Sequence, residues 1–309
     1  MTTMRLRKKW LLFPGIILVL LIAGLYIFIP GELTISGARV TTCNASAAFR
    51  SIGDEASWKG WWPGEGINGY SYRLSGKVYP QVGVSLQRGD HGVPGVISVL
   101  AAGLSDSIEL LWKCRIATSL NPVTRFLQYR EALGIRQTIS AGLSFLCPFL
   151  EKTENVYGMD IRNGMSKDST LVVTQQVTAV YPSTAEIYRS VHAIRSYITR
   201  QGAKETDYPM LHIGRRKDGS YERIVGIPVD RELKGTKELT PARFVPWKIL
   251  TGEVHGGPFT AERAMDQLQL YVVDHQKTAM ALPFQSLVTE RDREPDTARW
   301  ITRVVQCVP

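Results

Sequence analysis

Several motifs that mark metal, redox or hydrolytic sites are missing from this chain. It has only five histidines and four cysteines in 309 residues, with no Cys-x-x-Cys and no His-x3-His pair. The sequence therefore supports neither a zinc site nor a dithiol redox centre. It also lacks Gly-x-Ser-x-Gly, which argues against a hydrolase of the nucleophile-elbow type. We predict no metal and no cofactor, and we assign no catalytic residue.

A helix-turn-helix pattern is missing as well, although the net charge of +9 suggests a nucleic-acid partner. Much of that charge has another explanation. Four basic residues precede the first apolar run, and the cluster RRK at 215–217 is followed by Asp218 and Gly219, as in a solvated turn. We therefore predict that the protein does not bind nucleic acid. The sequence predicts no particular protein partner.

The first long apolar segment, residues 10–29, begins with Trp10, ends with Ile29 and contains no charge. Twenty such residues are enough to cross a bilayer as a helix. A cleaved signal peptide is the alternative, but it would have a shorter apolar region with a small-x-small site close behind. We favour an uncleaved single-pass anchor in the inner (cytoplasmic) membrane. The basic flank then stays inside, and residues 31–309 are periplasmic or extracytoplasmic.

The four cysteines would then lie in a compartment that can be oxidising. They are Cys43, Cys114, Cys147 and Cys307, and they allow three complete disulfide pairings, among which the sequence does not choose. The alternative for most of them is burial as small apolar side chains.

Residues 31–160 predict one strand, short helices, four antiparallel strands and a long helix. Asn44 is placed to cap the first short helix, and Asn121 followed by Pro122 to open the long one. This order resembles the START-like fold of polyketide cyclases (SRPBCC), as do the segment AAF at 47–49 and the Trp-rich turn at 58–63. The resemblance implies a sheet curled around the long helix over an apolar cavity. Trp58, Trp61 and Trp62 are candidate ligand-binding residues, with packing or membrane contact as alternatives.

Residues 161–309 contain a duplicated unit. The segments PSTAE at 182–186 and PFTAE at 258–262 each follow a β-rich run and open an amphipathic helix, and two strands follow each helix. In the second copy, residues 242–254 are predicted as one strand before the helix and residues 283–291 as the first strand after it. Ser183 and Glu186 are spaced as a capping box, and Thr260 is the predicted cap of the second helix. We predict two βαββ halves that pack as one domain, because neither half could bury its apolar face alone.

This pattern resembles the GyrI-like small-molecule-binding domain, also called the effector-binding domain. The resemblance is carried by the paired helices and by the segments GIPV at 226–229, LTGEV at 250–254, PFQSLVTER at 283–291 and WIT at 300–302. It implies a cleft between the halves, walled by aromatics, that binds flat cationic or lipophilic compounds. In that family, a carboxylate on the third strand of the second half faces this cleft. Some members use Glu and Tyr to hydrolyse strained electrophiles.

Two positions depart from the family pattern. Gln285 and Leu287 stand where the resemblance implies Glu and Tyr, and an amide cannot act as a general base. Glu253 could supply the carboxylate instead, with Trp247 on the same face of its predicted strand; a solvated carboxylate is the alternative. The predicted ligand-binding residues of this domain are Trp247, Glu253, Gln285 and Trp300. An apolar cleft with one carboxylate would prefer lipophilic cations.

The sequence as a whole predicts an α+β protein with three segments: an anchor at 1–30, a START-like domain at 31–160 and a GyrI-like domain at 161–309. This order resembles a group of bacterial envelope proteins. The predicted function is non-catalytic binding of a small lipophilic ligand by a membrane-tethered protein of the bacterial envelope. Two alternatives stay open: a hydrolase or cyclase acting on a lipophilic small molecule, and a structural envelope protein with collapsed pockets.

Overall fold

A computed structural model describes residues 3–103 and 106–309, with side chains described from residue 16 onward. The chain forms two compact units, Met1–Glu151 and Lys152–Pro309. Each unit contains one antiparallel sheet with helices, so the predicted mixed α+β class is confirmed. The boundary falls a few residues before the predicted one at residue 160.

The first unit is built on a five-stranded sheet in the order β1-β5-β4-β3-β2. Its elements follow the predicted order of strand, short helices, four strands and long helix. They are α1 (Thr3–Phe28), β1 (Glu32–Thr42), α2 (Ala45–Ile52), α3 (Glu55–Trp58), β2 (Ser71–Val78), β3 (Gln81–Arg88), β4 (His91–Ala101), β5 (Ser107–Ala117) and α4 (Pro122–Leu150).

Helix α4 packs against β1. A Cβ atom placed on Gly37 of β1 would lie 2.8 Å from Ile139 Cγ2, so glycine lets the helix approach the sheet closely. Both predicted caps form: Asn44 Oδ1 accepts a bond from Ser46 N at 2.9 Å, and Asn121 Oδ1 accepts one from Val123 N at 3.0 Å. These bonds satisfy backbone donors that the first turn of a helix leaves open.

The predicted membrane span is not found in the structure. Among the helices whose side chains are described, none combines the length and the apolar character that crossing a bilayer requires. The start of the predicted span, residues 10–15, lies outside the described side chains.

The second unit is built on an eight-stranded sheet in the order β10-β7-β9-β8-β12-β13-β11-β6. Its elements are α5 (Thr153–Tyr157), β6 (Arg162–Met165), β7 (Ser169–Thr178), α6 (Thr184–Arg200), β8 (Met210–Arg215), β9 (Tyr221–Val229), β10 (Thr240–Phe244), β11 (Lys248–His255), α7 (Pro258–Asp274), β12 (Phe284–Leu287), a 3-10 turn (Thr297–Arg299) and β13 (Ile301–Val308).

Two strand-helix-strand-strand halves share this sheet. The first is β7-α6-β8-β9 and the second is β11-α7-β12-β13. They join at a short seam where β12 pairs with β8 at only two positions, Gln285 opposite Leu211 and Ser286 opposite Met210. Leu287 of the second half is 1% exposed and belongs to the apolar core around α6 of the first half. The halves therefore share a core, as the duplicated pattern predicted.

Two local predictions were wrong. The segment 242–254 was predicted as one strand, but it forms the end of β10 and most of β11; β10 pairs with β7, and β11 pairs with β13. Pro246 lies in the break and has no N–H for a ladder bond. Thr260 was predicted as the cap of α7, but the helix begins at Pro258 with Gly257 in the cap position. Proline is favoured at the first helical position, where no N–H is needed.

Candidate functional site: a cavity between the halves of the second unit

A cavity of about 460 Å³ lies on the helix-bearing face of the second sheet, over the seam between β8 and β12. We call it the inter-half cavity. Its walls come from both strands, from the starts of both helices and from the segment after β12. The lining residues are Tyr181, Pro182, Ser183, Thr184, Ile187, Leu211, Ile213, Tyr221, Pro258, Phe259, Glu262, Gln285 and Arg291.

Strand alternation explains how the floor of the cavity is formed. Leu211 and Gln285 are directly opposite each other across the seam, and side chains of paired residues leave the same face of a sheet. Ile213 lies two residues beyond Leu211 and joins the same face. Gln285 is 6% exposed, so its amide is held at the bottom of the cavity and away from bulk water.

The charged group at this floor is Arg291, which is 5% exposed. Its Nη2 donates to Thr302 Oγ1 at 2.7 Å and to Gln285 Oε1 at 3.5 Å. The guanidinium lies 5.2 Å from the centroid of the Trp300 ring, in cation–π contact. Its Nε is buried and has no hydrogen-bond partner among the described residues. Burial lowers the pKa of Arg291, because water no longer solvates the charge.

The segment that carries Arg291 is fixed by hydrogen bonds to helix α6. The backbone N–H of Arg291 donates to the Tyr188 hydroxyl at 2.8 Å, and that hydroxyl donates to the Thr289 carbonyl at 3.0 Å. Burial raises the pKa of Tyr188, so the phenol stays protonated and able to donate. Trp300 Nε1 donates to the Glu294 carbonyl at 2.8 Å. Arg291 and Trp300, its cation–π partner, are therefore held in place before any ligand arrives.

Tyr181 and Glu262 also line the inter-half cavity. The Tyr181 ring meets Tyr221 edge-on, with ring centroids 5.5 Å apart. Burial raises the pKa of Tyr181, and the nearby Glu262 carboxylate raises it further. The Tyr181 hydroxyl is thus a neutral donor at neutral pH. Glu262 itself is exposed to solvent.

Both helices begin at the cavity, but their first turns differ. In α6, the Ser183 hydroxyl accepts from Glu186 N, and Glu186 Oε2 accepts from Ser183 N at 2.8 Å, which is the predicted capping box. In α7, the cap residue Gly257 offers no side-chain acceptor, and the first turn has no acidic residue. Unsatisfied N–H groups give a helix N-terminus a partial positive charge.

The structure separates the predicted ligand-binding residues of this domain. Gln285 lines the inter-half cavity. Trp300 is not a lining residue, but its ring is in cation–π contact with Arg291, which is. Glu253 lies on the opposite face of the sheet, where its Oε2 accepts from Arg303 Nη2 at 3.3 Å. The reason is register: Gln285 is opposite Val304 of β13, whereas Glu253 is opposite Arg303, and successive residues of a strand face opposite sides.

The face opposite the helices has its own cavity, of about 530 Å³, which includes Glu253, Arg303 and Ser286. Trp247 precedes β11 and is half-buried; its backbone N–H donates to Ser166 Oγ at 2.7 Å. The predicted preference for cations assumed that the Glu253 carboxylate faces the cleft between the halves. The inter-half cavity instead has a buried cation and an exposed carboxylate.

The three tryptophans predicted as candidate ligand-binding residues of the first unit form a buried aromatic cluster. Trp58 is 0% exposed, and Trp61 and Trp62 are each 6% exposed. Trp58 stacks on Tyr72 at a centroid distance of 4.3 Å, and its Nε1 donates to the Ile52 carbonyl at 2.7 Å. This arrangement is the packing alternative that the sequence analysis gave for these three tryptophans.

The cysteines are buried in both units, and Cys114, Cys147 and Cys307 are free thiols. Burial raises the pKa of Cys114 to about 11, so its thiol is protonated at neutral pH. Within the described ranges, no three His, Cys, Asp or Glu side chains are grouped so that they could hold a metal ion.

Comparison with known proteins gives fold-level similarities only. No family model and no curated protein matches the chain. Among solved structures it is similar to the C-terminal domain of EcmrR, with 13% identity over 49% of this chain and 98% of that one and a TM-score of 0.43. EcmrR in a DNA complex gives 15% identity over 62% of this chain and 72% of that one, with a TM-score of 0.45.

A third similar structure is SAV2435 bound to tetraphenylphosphonium, with 12% identity over 49% of this chain and 94% of that one and a TM-score of 0.33. At such low identities and TM-scores, these similarities do not identify a family, and the GyrI-like resemblance depends on the sequence segments, the element order and the paired halves described above. The comparisons give no support to a START-like first unit, which stays a prediction.

Proposed function

We propose that this protein binds a small lipophilic molecule in the inter-half cavity and catalyses no reaction on it. The observation that carries the proposal is the cavity itself, about 460 Å³ in volume and centred on the seam. Small-molecule sites typically have volumes of roughly 300–1,000 Å³, apolar and aromatic walls and a few polar groups. Here the apolar walls include Ile187, Leu211 and Ile213, and the polar groups include Gln285 and Arg291.

The residues at the family's reactive positions favour binding over hydrolysis. Gln285 stands where the resemblance implies a carboxylate, and an amide does not take a proton from water at neutral pH. Leu287 stands where it implies a phenol, and this side chain is packed in the core. A structural protein with a collapsed pocket is disfavoured by the open volume over the seam.

A cavity-filling substitution tests the proposal. Ile213→Trp adds a ring to the cavity wall and should weaken binding of the neutral fluorescent probe N-phenyl-1-naphthylamine by about tenfold or more, because overpacking costs roughly 1–3 kcal/mol. Val177→Trp adds the same ring at an exposed position of β7 and should bind the probe like the unmodified protein. Equal binding by all three proteins would contradict the proposal.

Native mass spectrometry of the purified protein gives an independent test. A bound species should be present in the unmodified protein and in Val177→Trp, and should be lost or reduced in Ile213→Trp. A species kept by Ile213→Trp would be bound elsewhere.

The location of the protein is a separate part of the proposal. A position at the inner membrane with residues 31–309 outside the cytoplasm is supported by the basic residues before the apolar run 10–29. It is also supported by the exposed apolar side chains of α1, such as Leu18, Leu20 and Phe28. A reporter fused after Pro309 should be active only outside the cytoplasm. Activity of a cytoplasm-specific reporter at the same position would contradict this location.

A further inference from the structure

We propose that the ligand of the inter-half cavity is a lipophilic carboxylate whose charged group is held by Arg291. This inference depends on the proposed function, since it names the chemical class of the molecule that the same cavity takes. It reverses the preference for cations that a carboxylate in the cleft would give.

Arg291 is a buried cation for which the described part of the chain provides no counter-charge. Among the described residues, no carboxylate forms an ion pair with it. Its two acidic chain neighbours point elsewhere: Glu290 Oε1 accepts from Arg195 Nη2 at 2.6 Å, and Asp292 Oδ2 lies 2.7 Å from His192 Nε2. Burying an ion without a partner is costly, and an anionic ligand would supply the missing charge.

The hydrogen bonds of the guanidinium point to the same conclusion. Nη2 is engaged by Thr302, while the buried Nε has no partner among the described residues. A guanidinium presents its N–H groups in a planar fork that matches the two oxygens of a carboxylate. A bound carboxylate would give Nε the acceptor that it lacks, and the cation–π contact with Trp300 already helps to hold the guanidinium at this position.

The start of helix α7 adds a second positive feature to the cavity wall. Pro258 and Phe259 line the cavity, and the cap residue Gly257 leaves this N-terminus without a side-chain acceptor. Pro258 has no N–H, and Thr260 N and Ala261 N both donate to the Gly257 carbonyl, so this N-terminus would act on an anion chiefly through the helix dipole. The N-terminus of α6 is already occupied by its own Glu186, so the N-terminus of α7 is the one that can serve a ligand.

Two other polar side chains of the cavity wall, Tyr181 and Glu262, have opposite effects on a carboxylate headgroup. The Tyr181 hydroxyl is protonated and can donate. Glu262 opposes an anion, but it is exposed, and water screens its charge far more than that of the buried Arg291. The aliphatic and aromatic walls remain for the body of the ligand.

The test uses three probes with one aromatic body: 2-naphthoate, the neutral 2-naphthamide and 2-naphthylmethylammonium. Their affinities for the full chain are measured by isothermal titration calorimetry. We expect the carboxylate to bind at least tenfold more tightly than the amide, and the ammonium to bind most weakly, because a charged hydrogen-bond pair outweighs a neutral one.

Variants locate the effect. Arg291→Gln should weaken 2-naphthoate by about 10- to 100-fold and change 2-naphthamide by less than about threefold. Arg303→Gln is the matched control, because this arginine lies on the opposite face beside Glu253, and it should leave all three affinities unchanged. If Arg291→Gln fails to fold, as judged by its thermal melt, Glu262→Gln replaces it. Removing the opposing charge should strengthen 2-naphthoate by about two- to fivefold.

The outcomes separate this inference from the proposed function. Equal binding of 2-naphthoate and 2-naphthamide overturns the inference and leaves ligand binding in place, as does tightest binding of the ammonium. If Arg303→Gln loses 2-naphthoate binding and Arg291→Gln keeps it, the anion binds on the other face of the sheet. That result also overturns the inference. If none of the three probes binds, the inference and the proposed function fall together.

Discussion

The two halves of the second unit share one pattern of elements but differ in the connection between their last two strands. In the first half, β8 and β9 are joined by a tight turn, where Arg216 N donates to the Ser220 carbonyl at 2.8 Å and Gly219 has a φ of 86°. In the second half, residues 288–300 join β12 to β13 and carry Arg291 and Trp300. The repeated scaffold forms the cavity, and the longer connection of one half provides its charge.

The halves also differ where their helices begin. The N-terminus of α6 is closed by Ser183 and Glu186, whereas that of α7 begins at Gly257 and Pro258 without a side-chain cap. A closed N-terminus contributes to stability, and an open one is available to a ligand. Four substitutions test this division between the halves, and we give them from the largest expected effect to the smallest.

Leu287→Ala should lower the free energy of unfolding of the second unit by about 2–5 kcal/mol, because it empties a site in a shared core. The loss should occur within one cooperative denaturant transition. Val273→Ala, at an exposed position of α7, should change stability by no more than about 0.5 kcal/mol. Two separate transitions for the second unit in Leu287→Ala would mean that the halves unfold independently.

Ser183→Ala should lower stability by about 1 kcal/mol, because it removes the acceptor for Glu186 N at the start of α6. The control in the other half is Thr260→Ala, at the exposed position first predicted as a cap. It should stay within about 0.5 kcal/mol of the unmodified protein in the same denaturant titration. A comparable loss in Thr260→Ala would restore that residue as the cap of α7.

Glu186 should make the stability of the first half depend on pH. Hydrogen bonds from the backbone N–H and then the hydroxyl of Ser183 hold the pKa of Glu186 below its usual value. The unfolded chain therefore binds this proton more readily, so the contribution is present at neutral pH and is lost as pH falls through the ordinary carboxyl range of about 4 and below.

The difference in melting temperature between the unmodified protein and Glu186→Gln should thus be largest near pH 7 and shrink toward pH 3. Glu262→Gln, which removes a carboxylate outside any cap, is the control for general charge effects. A Glu186→Gln difference that does not change with pH would contradict the role of the ionised carboxylate.

Gly257→Ser should make the second half resemble the first. A Cβ at this position would lie 3.4 Å from Thr297 Cβ, an ordinary contact, so the hydroxyl can cap α7. Stability should rise by a few tenths of a kcal/mol, since glycine is only slightly worse than serine as a cap. Binding of 2-naphthoate should weaken by about two- to fivefold, because the added serine oxygen partly offsets the positive end of the helix dipole. Unchanged affinity would show that this N-terminus does not serve the ligand.

The sequence predicted features that follow from short-range patterns. The repeated PxTAE segment located both helices, and the spacing of Ser183 and Glu186 predicted the capping box, because helix caps are local. Alternation along the predicted strand placed Trp247 and Glu253 on one face, although Trp247 precedes β11 in the structure. It did not show that Gln285 faces the other side, since that depends on how β12 and β11 each align with β13.

Arg291 had no local signal. It ends the segment 283–291, which was predicted as a strand, but β12 stops at Leu287. Its burial depends on Tyr188 and Thr302, which come from a distant helix and strand. Contacts of that kind depend on the tertiary arrangement, so spacing in the sequence does not show them. The tryptophan cluster at 58–62 is a second such case: the sequence marked it as a candidate ligand-binding group with packing as an alternative, and only the tertiary structure shows that all three rings are buried.

The seam between the halves has a mechanical consequence. Two paired positions join β8 to β12, whereas β7 and β9 are paired at nine. A sheet opens most readily where the fewest bonds must break, so this line should act as a hinge. The two sides can then rotate slightly against each other and widen the floor of the cavity. A ligand lying across this line would hold the two sides together, and amide exchange at Leu211 and Gln285 should slow when it binds.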